Sequence, residues 1–524
     1  MSPQPDSTTR RRTLIAAGVF VLAAGLIAAT ARDPGLTWDE AIYFGRAAQY
    51  LNWFHGSTGD AMSARAVAAA WGAPDHPPLG SLWIAGSFAL FGSSCDMITA
   101  ARLGAAVLFG AVAAVIFLWI SARRGTAAGL LAAGVFLLIP RVFADGHFAN
   151  LEMMTLLTWL ATVAAFERGI ESRAWSVLCG VFFGLALLTK INGVFLPFVL
   201  VPWGLLFHGR KALRNILCMA LIGPALFLLG WPLLWHFPVA GIKAYLANKT
   251  QRMLIPVCYL GTVYRDHVAP WHYPFVMLLA TTPLLVLAGA AGGVWAAVRR
   301  LRSEWRGASF EALLLWAFAF PVVLLAMPGV PKYDGVRLMM PAYPFLAILA
   351  AVGLSAAWER LRAQQVIAEG TLRRRVVLGG AAAVTVLWLA LPVVALHPYQ
   401  LAYYGELAGG PAGARRLGFE TTYWGDTFDD KALQYVNEHV PENGSVAFVA
   451  FGEFVWRDYL LTGDARRDIQ QADFVTDRWD YLVVIPRQGM WDEAVRAWMA
   501  AHEAVWVNTL PGPGDVPVCL IYKR

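Results

Sequence analysis

The sequence predicts an all-α polytopic membrane bundle with juxtamembrane helices and a small C-terminal extracytoplasmic α/β domain. Of the 524 residues, 58% are hydrophobic and 15% are charged, whereas soluble domains carry about 25% charged residues. Hydrophobic runs fill the chain up to Leu396, after which the composition changes. We therefore expect a transmembrane domain at 1–396 and a soluble α/β domain at 397–524.

The number of membrane spans follows from the hydrophobic runs. A helix needs about 20 apolar residues to cross a bilayer, and this criterion predicts about eleven spans. They lie near 13–31, 98–121, 126–142, 151–166, 173–190, 191–207, 213–235, 271–298, 310–327, 338–358 and 376–396. A shorter apolar segment at 79–92 predicts a juxtamembrane helix.

The orientation of the spans follows from the basic residues, because cytoplasmic loops are enriched in Lys and Arg. If 79–92 does not cross, the basic clusters between later spans fall on the same side as Arg10–Arg12. These clusters are Arg123/Arg124, Arg168/Arg173, Arg210/Lys211/Arg214, Arg299/Arg300/Arg302/Arg306 and Arg360/Arg362/Arg373/Arg374/Arg375. The N-terminus is then cytoplasmic, whereas a long first loop at about 32–97 and the C-terminal domain are extracytoplasmic.

The C-terminal domain is predicted from short β-branched and aromatic runs separated by turn residues. Strands are expected at 445–451, 480–485, 504–510 and 518–522, with helices at 429–439 and 491–501.

Other features exclude some classes of protein. The five cysteines form no CxxC pair, so no zinc motif or disulfide framework can be read from them. The net charge of +7 is dispersed in short clusters between hydrophobic runs. No basic face with interleaved aromatic residues appears, which argues against a nucleic-acid partner.

Acidic side chains recur at the predicted outer boundary, two of them close to histidines. The acids are Asp39, Glu40, Asp75 and Glu152, and the nearby histidines are His76 and His147. The first two also suit the N-cap and first turn of a juxtamembrane helix. Three acidic positions on one side of a membrane nevertheless indicate a functional site, because such acids tend to mark one.

Cations on the same side oppose the positive-inside trend: Lys190, Arg265 after Tyr264, Lys332 and Arg337. Each could extend to lipid headgroups. A shared anionic ligand such as a phosphate would explain all of them. A divalent metal stays open, with Asp75 and His147 as candidate ligands, although their spacing is not diagnostic.

Five segments carry a resemblance to a known family. DEAIY, DHPPL, the acid after the third span, LLTK and KYDGVRLMMPAYPFLAIL occur in order within about 10–400. They resemble the C-type membrane glycosyltransferases, and among them the protein O-mannosyltransferases and bacterial aminoarabinose transferases of lipid A (family 39). The segments HPYQLAYYGELAGG and LGFETTYWGD resemble those of bacterial members.

The resemblance implies a multi-pass enzyme of a bacterial plasma (inner) membrane with its active site on the outer face. The donor would be a polyprenyl-phosphate sugar, of the undecaprenyl-phosphate type in a bacterium. The acceptor would be a protein, lipid A or another glycolipid. The sugar is not specified by these segments.

The same resemblance assigns roles to residues. Asp39 matches the acid that serves as base, with Glu40 beside it, and Glu152 matches a second acid that is usually Asp. Asp75 matches an acid that helps to hold a metal in some relatives. The donor phosphate or the acceptor would be bound by His76, Lys190, Tyr264, Arg265, Lys332 and Arg337.

Three other functions compete with a glycosyltransferase. A transporter or flippase for lipid-linked sugars would place charges near the bilayer midplane, often in paired repeats, but no repeat is evident here. A glycan polymerase or ligase would be expected to have a large outer loop rich in Arg and His. A non-catalytic scaffold would use the C-terminal domain to bind a partner.

Overall fold

The computed structural model describes residues 7–56, 62–72, 75–363 and 372–524. The side chains at 250, 372–375 and 453 are not described. Parts of the predicted first outer loop, at 57–61 and 73–74, therefore lie outside the described residues. The side chains of Arg373, Arg374 and Arg375 in the last basic cluster also lie outside them.

The described chain is mostly helical. The helices α1 to α11 span Ser7–Ala29, Trp38–His55, Ala64–Trp71, Leu79–Phe91, Met97–Arg124, Thr126–Leu137, Pro140–His147, Glu152–Gly169, Arg173–Thr189, Leu196–His208 and Leu213–Leu229. The helices α12 to α22 span Leu233–His236, Pro238–Thr250, Tyr273–Thr281, Leu284–Ser303, Ser309–Ala326, Tyr343–Ala363, Leu372–Ala395, Gly410–Arg416, Asp430–His439, Glu453–Thr462 and Glu493–Ala501. The strands β1 to β7 span Val257–Tyr259, Thr262–Tyr264, Ser445–Val449, Gln470–Ala472, Tyr481–Val484, Trp506–Thr509 and Pro517–Lys523.

Seven helical stretches among the described residues are long and apolar enough to cross a membrane, or eight if α6 and α7 form one span bent by 73°. The predicted spans at 151–166 and 173–190 correspond to α8 and α9, which are not among the seven. The predicted span at 191–207 and most of the one at 213–235 belong to one stretch, Ile191–Leu229, of 39 residues. A straight helix of that length would measure about 58 Å, nearly twice the bilayer core. The number of eleven spans stays a prediction.

Small residues allow the membrane helices α15 and α17 to pack closely. A Cβ atom added to Gly353 would lie 1.9 Å from the carbonyl oxygen of Gly289, and one added to Gly293 would lie 2.0 Å from that of Leu349. Such contacts are typical of helices that associate in lipid, where packing and not apolar burial drives association. The segment 79–92 forms the short helix α4, as predicted.

The C-terminal region (residues 397–524) contains a five-stranded sheet in the order β4-β3-β5-β7-β6. Strand β3 pairs in parallel with β4 and β5, and β7 pairs antiparallel with β5 and β6. Strands β3, β5, β6 and β7 and helices α20 and α22 lie where the sequence predicts them. The sequence did not predict β4, α19 or α21 in this region, nor β1 and β2 earlier in the chain.

The C-terminal region contacts the bundle at the start of α2. The backbone N–H of Gly35 donates to the carbonyl of Asp426 at 2.8 Å, and that of Trp38 donates to Trp424 at 3.0 Å. These hydrogen bonds hold the first turn of α2, with its two acids, against the C-terminal region.

Candidate active site

The first turn of α2 orients its two adjacent acids in different directions. Thr37 and Glu40 form a capping box, in which each side chain accepts a hydrogen bond from the backbone of the other. The N-cap is therefore Thr37 and not Asp39, which the sequence suggested, and both acids lie in the first turn. Consecutive residues of an α-helix project about 100° apart. Glu40 is therefore turned into the protein and is fully buried, whereas the side chain of Asp39 remains 19% exposed.

The Glu40 carboxylate is saturated with hydrogen bonds. Arg102 donates from Nε to Oε1 and from Nη2 to Oε2, both at 2.8 Å. The backbone N–H of Ala149 and the Thr37 backbone and hydroxyl groups donate as well. Burial raises the pKa of Glu40, but the charge and hydrogen bonds of Arg102 outweigh it and hold the pKa below its ordinary value. These contacts suit a framework ion pair and leave Glu40 poorly placed to take a proton.

Asp39 faces a different cation. Its carboxylate accepts a hydrogen bond from Nη2 of Arg337. Burial raises the pKa of Asp39, Arg337 opposes that effect, and the negative charges of Asp334 and Glu152 add to it, so that the net direction is upward. A carboxylate with a raised pKa and partial exposure has the properties of a general base.

Glu152 lies at the N-terminus of α8 and joins two cations. The ammonium group of Lys190 contacts both of its oxygens, at 2.8 and 3.0 Å. Nε of Arg337 donates to Oε1 at 2.8 Å. Glu152 and Lys190 are almost fully buried, and a charge buried in this way needs a partner of opposite sign.

Arg337 is the centre of the arrangement. Its Nη1 donates to Asp334 at 3.0 Å, and its guanidinium lies 4.8 Å from the ring centre of Trp424. Asp334 also accepts from Nε1 of Trp424 at 2.8 Å and from Nη2 of Arg487 at 2.6 Å. The charged cluster therefore balances three carboxylates against three cations: Asp39, Glu152, Asp334, Lys190, Arg337 and Arg487.

A candidate anion pocket adjoins this cluster: the positive charges of Arg46, Lys190 and Lys249 act together on His76. Nζ of Lys249 donates to the carbonyl of Asp75 and lies 3.5 Å from Nδ1 of His76. Arg46 lies 3.9 Å from the Asp75 carboxylate, whose side chain is 66% exposed.

Burial and neighbouring cations together lower the pKa values of His76 and Lys249. Burial lowers the pKa of His76 well below its ordinary value, and Lys249, Lys190, Arg337 and Arg46 lower it further. Burial and the charge of Lys190 likewise lower the pKa of Lys249, to about 8. His76 is therefore neutral at neutral pH, and an anion bound here would relieve the repulsion among the cations.

Other predicted binding residues lie outside the pocket. The ammonium group of Lys332 donates to the carbonyls of Met327 and Val330, at 3.2 and 2.9 Å, and so stabilises its own loop. Arg265 is exposed, and Tyr264 lies on β2, opposite Val257 on β1.

The two candidate metal ligands have different surroundings. His147 is buried, with Nε2 at 2.8 Å from the Thr30 hydroxyl and Nδ1 at 3.0 Å from the Phe143 carbonyl. Asp75 is exposed beside Arg46. Within the described ranges, no three side chains of His, Cys, Asp or Glu converge on a metal position. The geometry therefore does not combine Asp75 and His147 into one metal site.

The sequence interpretation missed Arg46, Lys249, Asp334, Trp424 and Arg487 as site residues, although Asp334 and Trp424 lie within segments that carry the family resemblance. Arg46 could have been found, because it lies seven residues after Asp39, with Tyr43 between them, and residues at i, i+4 and i+7 share one face of a helix. Lys249 and Arg487 are distant in sequence and carry no comparable local pattern.

Comparisons with known proteins show which fold the chain has. Residues 75–235 match the family described as dolichyl-phosphate-mannose-protein mannosyltransferase. The whole chain superposes on the apo crystal structure of ArnT from Cupriavidus metallidurans with a TM-score of 0.53 and 16% identity, covering 97% of this chain and 98% of ArnT. The chain has the fold of the C-type membrane glycosyltransferases.

Two further structures share this fold. ArnT from Cupriavidus metallidurans bound to undecaprenyl phosphate matches with a TM-score of 0.51 and 17% identity, over 96% of this chain and 97% of ArnT. The Archaeoglobus fulgidus oligosaccharyltransferase AglB, in complex with an inhibitory peptide and a dolichol-phosphate, matches with a TM-score of 0.51 and 12% identity, over 90% of this chain and 69% of AglB. No curated protein sequence matches the chain significantly.

Proposed function

We propose that this chain transfers a sugar from a polyprenyl-phosphate carrier to an acceptor hydroxyl, with Asp39 as the general base. The observation that carries the proposal is the position of Asp39. This partly exposed carboxylate, with a raised pKa, lies in a charged cluster that shares Lys190 with a pocket of converging positive charges. The resemblance of the fold to ArnT, which has been crystallised with undecaprenyl phosphate, supports a polyprenyl-phosphate donor.

The anion pocket suits the leaving group of this reaction. When the bond between the anomeric carbon and the phosphate oxygen breaks, its electron pair remains on the phosphate. Lys249 and Arg46 would stabilise that developing charge, since fixed cations in a water-poor site act strongly on charge formed in the transition state. No proton donor is required for a phosphate leaving group.

Asp39 would activate the acceptor. Its carboxylate takes the proton of the acceptor hydroxyl while the acceptor oxygen forms a bond to the anomeric carbon. Glu152 is held by Lys190 and Arg337, so it is not available as a nucleophile. A single displacement with inversion follows, and NMR assignment of a product with the donor's anomeric configuration would contradict it.

The proposal includes the membrane setting. The polyprenyl tail would enter sideways from the bilayer, and the site would lie on the outer face of a bacterial plasma (inner) membrane. This placement rests on the eleven-span topology, with a cytoplasmic N-terminus and a transmembrane domain at 1–396 followed by an extracytoplasmic domain at 397–524. The donor would be of the undecaprenyl-phosphate type, and the acceptor a protein, lipid A or another glycolipid.

The test uses purified protein in liposomes with a panel of radiolabelled polyprenyl-phosphate sugars and mixed acceptors. Loss of sugar from one carrier, with label appearing in an acceptor, would support the proposal and identify the sugar. Movement of intact carrier between leaflets without loss of sugar would contradict it and indicate a transporter.

Lys249 of the anion pocket should contribute to binding of the donor. We expect Lys249→Gln to raise the KM for the donor about tenfold, because one charge-assisted hydrogen bond to the phosphate is lost. The matched control is Lys243→Gln, which removes an exposed lysine from the same helix α13 and should leave the KM unchanged. Equal KM values for both variants would place the phosphate elsewhere.

The ionisation of Lys249 should make kcat/KM for the donor depend on pH. The pKa of Lys249 is about 8, so its ammonium group loses its proton as the pH rises through that value. A phosphodiester keeps its charge over the same range. We therefore expect kcat/KM for the donor to fall above about pH 8, since this parameter reports ionisation of the free enzyme.

Lys249→Arg should remove this alkaline limb, because a guanidinium stays charged to pH 12 or above. Persistence of the same limb in the arginine variant would assign it to another group.

A further inference from the structure

The C-terminal region contributes a buried arginine to the charged cluster. Arg487 lies just beyond β5 and is 4% exposed. Its Nη2 donates to Oδ1 of Asp334 at 2.6 Å, and its Nη1 donates to the carbonyl of Tyr423 at 2.6 Å. The side chain therefore joins the sheet of the C-terminal region to the loop that precedes Arg337.

Asp334 is held in an unusual backbone conformation. Its φ is +54°, in the left-handed region, which residues other than glycine rarely adopt. Its carboxylate is fixed on three sides, by Arg337, Trp424 and Arg487. Two of these three donors, Trp424 and Arg487, belong to the C-terminal region.

Gly335, the residue after Asp334, is closely surrounded by other side chains. Gly335 has a φ of +62°, and a Cβ atom there would lie 2.4 Å from Nη1 of Arg141 and 3.2 Å from the hydroxyl oxygen of Tyr423. The loop at 334–335 is consequently confined by side chains from both parts of the molecule. Its position determines where Asp334 meets Arg337.

Arg337 is shared among three carboxylates, Asp39, Glu152 and Asp334. The strength with which Arg337 interacts with each carboxylate depends on how far that carboxylate is neutralised by other cations. Arg487 neutralises Asp334 and lowers its pKa, acting against the effect of burial. Without Arg487, the uncompensated charge of Asp334 would draw Arg337 away from Asp39.

We infer that Arg487 is a positioning residue for the sugar transfer: through Asp334 it fixes Arg337, and through Arg337 it orients the general base Asp39. The inference rests on the proposed function. Both parts of the molecule then contribute to the active site, since the bundle supplies the base and the C-terminal region supplies the group that orients it.

The first experiment compares Arg487→Gln with the wild type in the liposome transfer assay. We expect kcat to fall about tenfold, as for the loss of one charged hydrogen bond. The donor KM should change little, because Arg487 is not part of the anion pocket. The control Arg496→Gln removes an exposed arginine from α22 of the same region and should leave kcat unchanged.

The pH profile distinguishes positioning from general support of the fold. Asp39 is faced by Arg337, Asp334, Glu152 and Tyr333, and by Tyr43 on its own helix. The charge of Asp334 raises the pKa of Asp39, so removing Arg487 should raise that pKa further. We expect the acid limb of kcat/KM to move to higher pH in Arg487→Gln and to return towards the wild-type position in Arg487→Lys.

A double substitution tests whether Arg487 acts through Asp334. Asp334→Asn suits the position, because asparagine tolerates the left-handed region. If the relay is correct, adding Arg487→Gln to Asp334→Asn has no further effect on kcat. Additive losses, or a lower melting temperature with an unchanged pH profile, would overturn the inference. Absence of transfer by the wild type would instead overturn the proposed function and the inference with it.

Discussion

Replacement of Asp39 by asparagine should slow sugar transfer by orders of magnitude. An amide cannot accept the proton of the acceptor hydroxyl, and general base catalysis contributes typically 10²- to 10⁴-fold to the rate. The substitution preserves the size of the side chain and an oxygen that can accept from Arg337. We therefore expect kcat to fall by about that factor, with little change in donor affinity.

The measurement is single-turnover release of sugar from the carrier, with the donor dissociation constant determined separately. A suitable control is Asp33→Asn, which changes an exposed acid in the loop before α2 that pairs with His397. That variant should transfer sugar at the wild-type rate. Transfer by Asp39→Asn at a comparable rate would remove Asp39 from its proposed role while leaving the glycosyltransferase itself in place.

Replacement of the neighbouring acid, Glu40, should lower the stability of the fold, whereas replacement of Asp39 lowers kcat. Glu40→Gln leaves the guanidinium of Arg102 fully buried without its counter-charge. Removing one partner of a buried ion pair costs about 3–5 kcal/mol of folding free energy. We expect a large drop in the melting temperature in detergent, together with low yields of folded protein.

A partly exposed ion pair provides the comparison. Asp464→Asn breaks the pair between Arg32 and Asp464, in which both side chains are about one-third exposed, and such pairs contribute about 0–1 kcal/mol. Combining Glu40→Gln with Arg102→Met should recover part of the stability, since it removes the unpaired charge. A Glu40→Gln variant with an unchanged melting temperature and reduced kcat would assign Glu40 to catalysis instead.

The contrast between these two adjacent acids shows where sequence interpretation reached its limit. Both are predicted at the outer boundary, and both suit the first turn of a helix. Their roles differ because about 100° of rotation around α2 turns one towards Arg102 and the other towards Arg337. No local pattern indicates which face of the first turn meets which cation.

The same limit applies to the cations. Lys190 and Arg337 were predicted from motifs, and the structure brings them together on Glu152. Lys332 was predicted from the same motif as Arg337, but its ammonium group is bound by carbonyls of its own loop. Lys249 had no motif, yet it lies beside His76, 173 positions away in the sequence.

The sequence by itself determined the membrane character, the short helix at 79–92, four strands of the C-terminal sheet and the helix that begins beside Asp39. Each of these depends on interactions between residues close in the chain, such as hydropathy, periodicity and capping. Only the tertiary structure decided that Asp39 is accessible while Glu40 is buried, that Lys249 completes an anion pocket and that Arg487 reaches Asp334. Those outcomes depend on charges brought together from distant segments, and their energies are set by burial and partner geometry, which a linear pattern does not contain.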